Sequence, residues 1–422
     1  MENKIITENG VDIYSYKQEH LHKFCIRFYI KSGMLYEKQN GTSHLLEHCI
    51  VRNLNIIYDY KFYKLLDRKG LQFDAVTYDE FIMFSVCGAV RHFDDAAEII
   101  SGIFNNLELK KDDFNLEKKR IKREIAENND KASLTFFSDK TVWNGTPLTG
   151  IITGTVKSIN AISLKALKEE HEKALSSGNV FAYVTGSFED NGVKKLASLI
   201  EKYQLLNFSG QKRDNRSAIP EGFLNRERDI KVKEQNYCSV KLSFDFDKSK
   251  YSIPELYLLY DILFSGDSCK FFIELSDKTG FVYSYDSDIR QFCNIGVIST
   301  EFEVESSKLY DSIDIAIRCF SNLKYDDLSL DIELASASYV DNCDIMLDDC
   351  EGLNWAMAYE THIMDETYMS VEQRKEAFER VTADRIKAIA SEIFLRKNLV
   401  ISVKGKSKTI ECDIIEDILS LL

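Results

Sequence analysis

Residues 61–90 read KFYKLLDRKG LQFDAVTYDEFIMFSVCGAV, and residues 270–305 read KFFIELSDKTG FVYSYDSDIRQFCNIGVISTEFEVE. Each begins with a short amphipathic helix closed by a glycine and continues into two runs whose β-branched and aromatic content predicts a strand hairpin. The next segments match as well: FDDAAEIISGIFNNL (93–107) and LYDSIDIAIRCFSNL (309–323) are helical patterns of identical span. Agreement in order, length and glycine position predicts an internal duplication. Because strand and helix runs mix within each half, the class is α+β, with helices on one face of a mixed or antiparallel sheet.

Working outward, VDIYSYKQ and HKFCIRFYIKSG (22–33) read as strands ahead of the first helix-hairpin unit. A helix is predicted from Gly41, and a long charged one in DFNLEKKRIKREIAENND. A chain of 422 residues suits two domains. The boundary is placed in the glycine- and charge-rich stretch 207–229, giving domains at 1–206 and 230–422. With 44% hydrophobic residues and only three prolines, little of the chain is expected to be disordered.

Sixty-eight acidic against 54 basic residues, a formal charge of −14, would repel phosphate backbones and anionic lipid, which argues against nucleic acid and membrane as partners. MENKIITENGVDIYSYKQEH at the start has no apolar leader core, and no uncharged run reaches about 18 residues, so a cytoplasmic location is expected. Ten cysteines are scattered without a CxxC pair, the pattern of reduced core thiols.

The chemistry concentrates in GTSHLLEHCI (41–50). Thr42 or Ser43 can cap the helix. His44 and His48 stand one turn apart on one face with Glu47 close beside them, so both imidazoles can reach one Zn²⁺ and the carboxylate can take a proton from its water. This is the inverted H-x-x-E-H order. A third ligand must come from elsewhere, and EKKRIKREIAE (117–127) offers Glu117 and Glu124, seven apart on one helical face. One could bind the metal while the other supports it.

GTSHLLEHCI, with the glutamate of KREIAE 76 positions after His48, resembles the pitrilysin/insulinase family, which includes the mitochondrial processing peptidases. GLQFDAVTYDE, FAYVTGSFED and GDSCKFFIELSDKTGFVYS also look like the family, so the similarity spans most of the chain. The resemblance implies Glu124 as third zinc ligand, Glu117 as an assisting catalytic residue and Glu47 as general base. It implies a peptide paired along Phe73, Asp74, Ala75 and Thr77, and two related domains that form half of a clamshell with a partner. It also implies a zinc endopeptidase acting on short or unfolded peptides, including leader removal. A non-catalytic scaffold or a peptide-binding subunit of the same fold is the alternative.

Two positions depart from the family pattern. Asp74 replaces the more usual asparagine of the edge strand. Active members carry an arginine and a tyrosine seven residues apart, whereas here Ser276 precedes Tyr283 at that spacing. The departure implies a heterodimer whose paralogous partner supplies the arginine and tyrosine.

Overall fold

The structure, a computed structural model, describes residues 2–127, 134–207, 217–226, 228, 230–234, 238–292, 294–406 and 410–422. Residues 208–216, 227 and 229 of the expected linker lie outside the described residues. The strands are β1 (Asn3–Ile6), β2 (Asp12–Lys17), β3 (Lys23–Ile30), β4 (Gln72–Thr77), β5 (Ile82–Ala89), β6 (Val180–Gly186), β7 (Ile230–Glu234), β8 (Cys238–Phe246), β9 (Tyr285–Gln291), β10 (Gly296–Val304) and β11 (Leu399–Gly405). In the first half, helices are α1 (Thr42–Ile57), α2 (Phe62–Lys69), α3 (Phe93–Ser101), α4 (Lys111–Glu127), α5 (Leu134–Val142), α6 (Val156–Ala161), α7 (Leu164–Ala174) and α8 (Gly192–Ile200). Later helices include α9 (Ile253–Phe264), α10 (Leu309–Asn322), α11 (Ser329–Met346) and α12 (Cys350–His362).

Two mixed sheets form, in the orders β1-β2-β6-β3-β5-β4 and β7-β11-β8-β10-β9. Apart from β1 the two orders correspond strand for strand. In each, one parallel pair (β2 with β6, β7 with β11) adjoins an antiparallel run. The glycines that close the repeated helices, Gly70 and Gly280, have φ of +59° and +63°, the left-handed backbone that favours glycine after a helix. In the second repeat that helix is wound as a π-helix over Phe272–Asp277.

The compact units differ from the expected division, 1–206 and 230–422, in two segments. One unit comprises Met1–Asn129, Gly150–Arg216 and Asp344–Val371; the other comprises Asp130–Thr149, Ser217–Cys343 and Glu372–Leu422. The reason lies in strands that need cover on both faces. Phe24, Ile26, Phe28 and Ile30 of β3 join the main core, while the alternate residues meet α12. Arg27 Nη1 donates to Glu351 O at 2.9 Å, Tyr29 Oη donates to Asn354 Oδ1 at 3.0 Å, and Asn354 Nδ2 donates to Tyr183 O at 2.8 Å. In the second unit α5 plays the same part, with Lys241 Nζ of β8 donating to Thr135 Oγ1 at 2.8 Å and Ser402 Oγ of β11 bonded to Ser138 Oγ at 3.1 Å.

Candidate metal centre

Helix α1 carries the H-x-x-E-H residues, and its start is fixed by Gly41 and Glu37. Gly41 has φ +87°, and a Cβ there would lie 2.7 Å from Ile159 Cδ1 and 3.0 Å from Gly154 Cα. Neither Thr42 nor Ser43 caps the helix, contrary to expectation. Thr42 Oγ1 donates to Gln39 O at 2.5 Å and Ser43 Oγ to Gly33 O at 3.2 Å, so neither hydroxyl faces the free N–H groups. The cap is the carboxylate of Glu37, which accepts from Gly41 N at 2.8 Å and Ser43 N at 2.7 Å. Burial pushes its carboxyl up to about 7 against the pull of those bonds.

The structure brings His44, His48 and Glu124 together: one donor atom from each lies within 4.8 Å of the others. His44 Nε2 and His48 Nε2 each stand 3.7 Å from an oxygen of Glu124. That is too long for a hydrogen bond and close to the roughly 3.4 Å edge of a tetrahedron with ligands at about 2.0–2.1 Å. Two imidazoles and a carboxylate that converge without bonding one another are a donor set that fits zinc. Burial, then His48, lowers His44 to about 4, which keeps its ring neutral, the form that binds a metal. Its Nδ1 is buried with no partner.

His48 is held differently. Its Nδ1 lies 3.4 Å from Glu117 Oε2, and Glu117 in turn accepts from Arg52 Nε at 2.6 Å, which ties α1 to α4. Burial opposes charge on His48, but Glu117 and the charges of Glu47 and Glu124 outweigh it and raise the ring. Burial likewise opposes charge on Glu117, and its bonds to His48 and Arg52 win, lowering the carboxyl. Glu117 thus stands behind the donor set and orients it.

Glu47 is buried beside the three donors, and Thr77 Oγ1 donates to its Oε2 at 2.7 Å. Burial raises its carboxyl to about 7 and the nearby charges of Glu124 and Asp74 add to this, while Thr77 and His48 oppose it. The sequence placed Thr77 with the peptide-pairing residues; its side chain is engaged by Glu47. Phe73 packs on Phe62 with ring centroids 5.1 Å apart, Ala75 also faces the core, and Asp74 is exposed. β4 ends its sheet, paired with β5 alone, so one of its main-chain edges is open among the described residues. Ser276 lies in the π-helix, and the Tyr283 side chain is 99% exposed.

Two family models match consecutive parts of the chain: Insulinase (Peptidase family M16) over residues 13–156, which contains all four centre residues, and Peptidase M16 inactive domain over residues 161–332. The chain belongs to peptidase family M16. It is 19% identical over 327 residues to the uncharacterized zinc protease YmxG of Bacillus subtilis, covering 76% of this chain and 78% of that protein. It is also 26% identical over 180 residues to subunit 1 of the mitochondrial cytochrome b-c1 complex of Caenorhabditis elegans, covering 42% of this chain and 37% of that one. In fold it resembles a peptidase M16 inactive domain from Pseudomonas fluorescens, with TM-score 0.83 at 16% identity over 96% of this chain and 98% of the other. It also resembles the first half of the periplasmic protease PqqL from Escherichia coli, with TM-score 0.80 at 11% identity over 99% and 96%. No described helix of this M16 chain is long and apolar enough to cross a membrane.

Glu37, the pairing of Thr77 with Glu47 and the Arg52 bridge were missed from sequence. An acid six residues before the helix's second residue was the one available signal for Glu37.

Proposed function

We propose that this chain is the zinc-bearing subunit of an M16 endopeptidase that cuts short or unfolded peptides. The observation that carries the reading is the convergence of His44, His48 and Glu124 with a buried carboxylate, Glu47, held beside them by Thr77. Zinc held by those three side chains would supply Lewis acidity and a water acidified toward a pKa of about 7. Glu47 takes the water's proton on Oε1, the oxygen that Thr77 leaves free, and later delivers it to the leaving amine nitrogen. Glu117 orients the His48 ring. The open edge of β4, from Phe73 to Thr77, receives the peptide main chain by strand addition. Exposed Asp74 disfavours acidic residues there.

Ser276 gives no charge and no forked donor, so the missing arginine must come from a second chain. We therefore assign the active form to a heterodimer with a paralogue carrying the arginine and tyrosine, working on peptide maturation or turnover in the cytoplasm. The likeness to a cytochrome b-c1 subunit favours a second reading, a non-catalytic scaffold.

Metal analysis separates the two. The purified chain should hold zinc at one equivalent and lose it in His48→Ala; a parent chain that binds no zinc, or a His48→Ala variant that keeps full occupancy, overturns the assignment. Peptide cleavage should rise by about 10²–10³ on adding the paralogue, the usual value of one preorganised oxyanion donor.

A further inference from the structure

A cavity of about 200 Å³ opens beside Glu47 and His48, with Arg52, Asn55, Tyr63 and Arg120 in its wall. It is smaller than the roughly 300–1,000 Å³ of sites that enclose a small molecule, and suits one side chain. Two guanidiniums share a single carboxylate in this wall. Arg52 Nε donates to Glu117 at 2.6 Å, and Arg120 Nη1 reaches the two oxygens of Glu117 at 3.3 and 3.4 Å. Glu47 adds a second carboxylate to the wall, so the spare capacity lies in guanidinium N–H groups that Glu117 does not engage, and not in a net charge.

The Arg52 side chain is only 9% exposed, yet its Nη2 is buried with no partner, and so is Asn55 Oδ1. Buried polar atoms are nearly always bonded, so two unpaired ones on side chains that line one pocket call for a partner, which a ligand can supply once those side chains turn toward it. The proposed chemistry uses Glu47, His48 and Glu117, gives Asn55 and Arg52 Nη2 nothing to bind, and leaves Arg120 only its long contacts to Glu117.

We infer that this pocket receives an acidic side chain, Asp or Glu, of a peptide. A carboxylate accepts from Arg52 Nη2 and Arg120, a paired geometry that guanidinium favours. The Asn55 amide forms no side-chain hydrogen bond with the described residues and can turn its Nδ2 toward the same oxygens. Tyr63, 53% exposed, forms part of the wall. The pocket lies beside His48 and not on β4, so its acidic preference is compatible with Asp74 repelling acids along the strand. The inference rests on the peptidase reading only in stating that the acidic residue flanks the bond to be cut.

The test is binding without turnover. The full chain carrying Glu47→Gln and loaded with zinc is titrated with fluorescent peptides in which Glu, Asp, Gln, Ala or Lys is scanned through each position. At one position Glu or Asp should bind about tenfold tighter than Ala, the worth of one charge-assisted bond, and Lys more weakly than Ala. Asn55→Asp puts a carboxylate of the same size in the pocket and should move the preference to Lys; the exposed Arg120→Ala should reduce it. Equal binding of Glu and Ala at every position, a preference for Gln, a preference unmoved by Asn55→Asp, or no peptide binding overturns the pocket. Acid-selective binding by a chain that never cleaves keeps the pocket and removes the peptidase. Cleavage by the parent with no acidic preference does the reverse.

Discussion

Helices α1 and α9 occupy corresponding places, each entered from the long central strand of its sheet, β3 or β8. Helix α9 starts with a self-contained cap: Ser252 accepts from Glu255 N, Glu255 Oε2 accepts from Ser252 N at 2.8 Å, and a proline stands in the first turn. Its buried face is Ile253, Leu256, Leu258, Leu259, Ile262 and Leu263. Helix α1 buries Ser43, His44, Glu47 and Asn53 among its apolar residues. Its first turn holds His44, one of the three converging side chains, and its cap comes from Glu37 outside the helix. One repeat uses this position for packing. The other gives up apolar contacts and local capping to present polar groups at a fixed angle, and the surrounding chain holds them in place.

The sharpest way to break this comparison is a matched pair of substitutions. Glu47→Gln should reduce peptide cleavage by about 10²–10⁴-fold while zinc stays bound, with unfolding little changed. Leu259→Ala should cost about 2–5 kcal/mol of stability and leave zinc content intact. Cleavage by Glu47→Gln at the parent rate would remove the distinction, and so would a harmless Leu259→Ala in urea unfolding. A smaller effect is expected at the caps. Glu37→Ala leaves two helix N–H groups without an acceptor and should cost about 1–3 kcal/mol, with weaker zinc binding because His44 is the next residue after Ser43. Ser252→Ala should cost about 0.5–2 kcal/mol with no effect on zinc. Calorimetry of both variants, with and without the metal, decides.

The two cap glutamates also titrate in opposite senses, which gives the smallest effect. Burial lifts Glu37 to about 7 from an unfolded value near 4.5, so its contribution is full below about 4.5 and is lost as pH rises through about 7. At Glu255 burial acts the same way, but Arg385, bonded at 2.6 Å, outweighs it and the carboxyl sits below 4.5. Its contribution is present above about 4.5 and is lost as pH falls. In thermal unfolding between pH 4 and 8, Glu37→Gln should remove a decline toward neutral pH and Glu255→Gln a decline toward acid. Parallel profiles for the two variants would contradict the assigned causes.

The features legible in the sequence were those that lie within one helix or one repeat. The i, i+3, i+4 spacing of His44, Glu47 and His48 sets their common face without any tertiary contact, and the seven-residue spacing of Glu117 and Glu124 does the same on α4. The helix-hairpin order gave the duplicated sheet topology because each part has a local pattern and a glycine stop. Contacts between distant segments leave no such trace. Only its spacing from the helix start marks Glu37 as a cap, since its partners are main-chain groups. Thr77 on a predicted strand reads as an outward or inward residue equally well until β4 is placed beside α1. Residues 350–362 look like any half-buried helix, and KFCIRFYI, which Arg27 interrupts, fits a half-buried strand as well as one that requires a second layer.

That second layer sets an order of events during synthesis. A ribosome that has released β6 has made every strand of the first sheet, yet Arg27, Tyr29 and Tyr183 still face water because α12 is encoded far downstream. At about 5–20 residues per second the wait is on the order of ten seconds or more, during which Ser217–Cys343 of the second unit is translated while its strand β11 is still to come. The first unit therefore cannot close before most of the chain exists, and a transcript truncated ahead of residue 350 yields a sheet with one bare face, a substrate for chaperones and proteases.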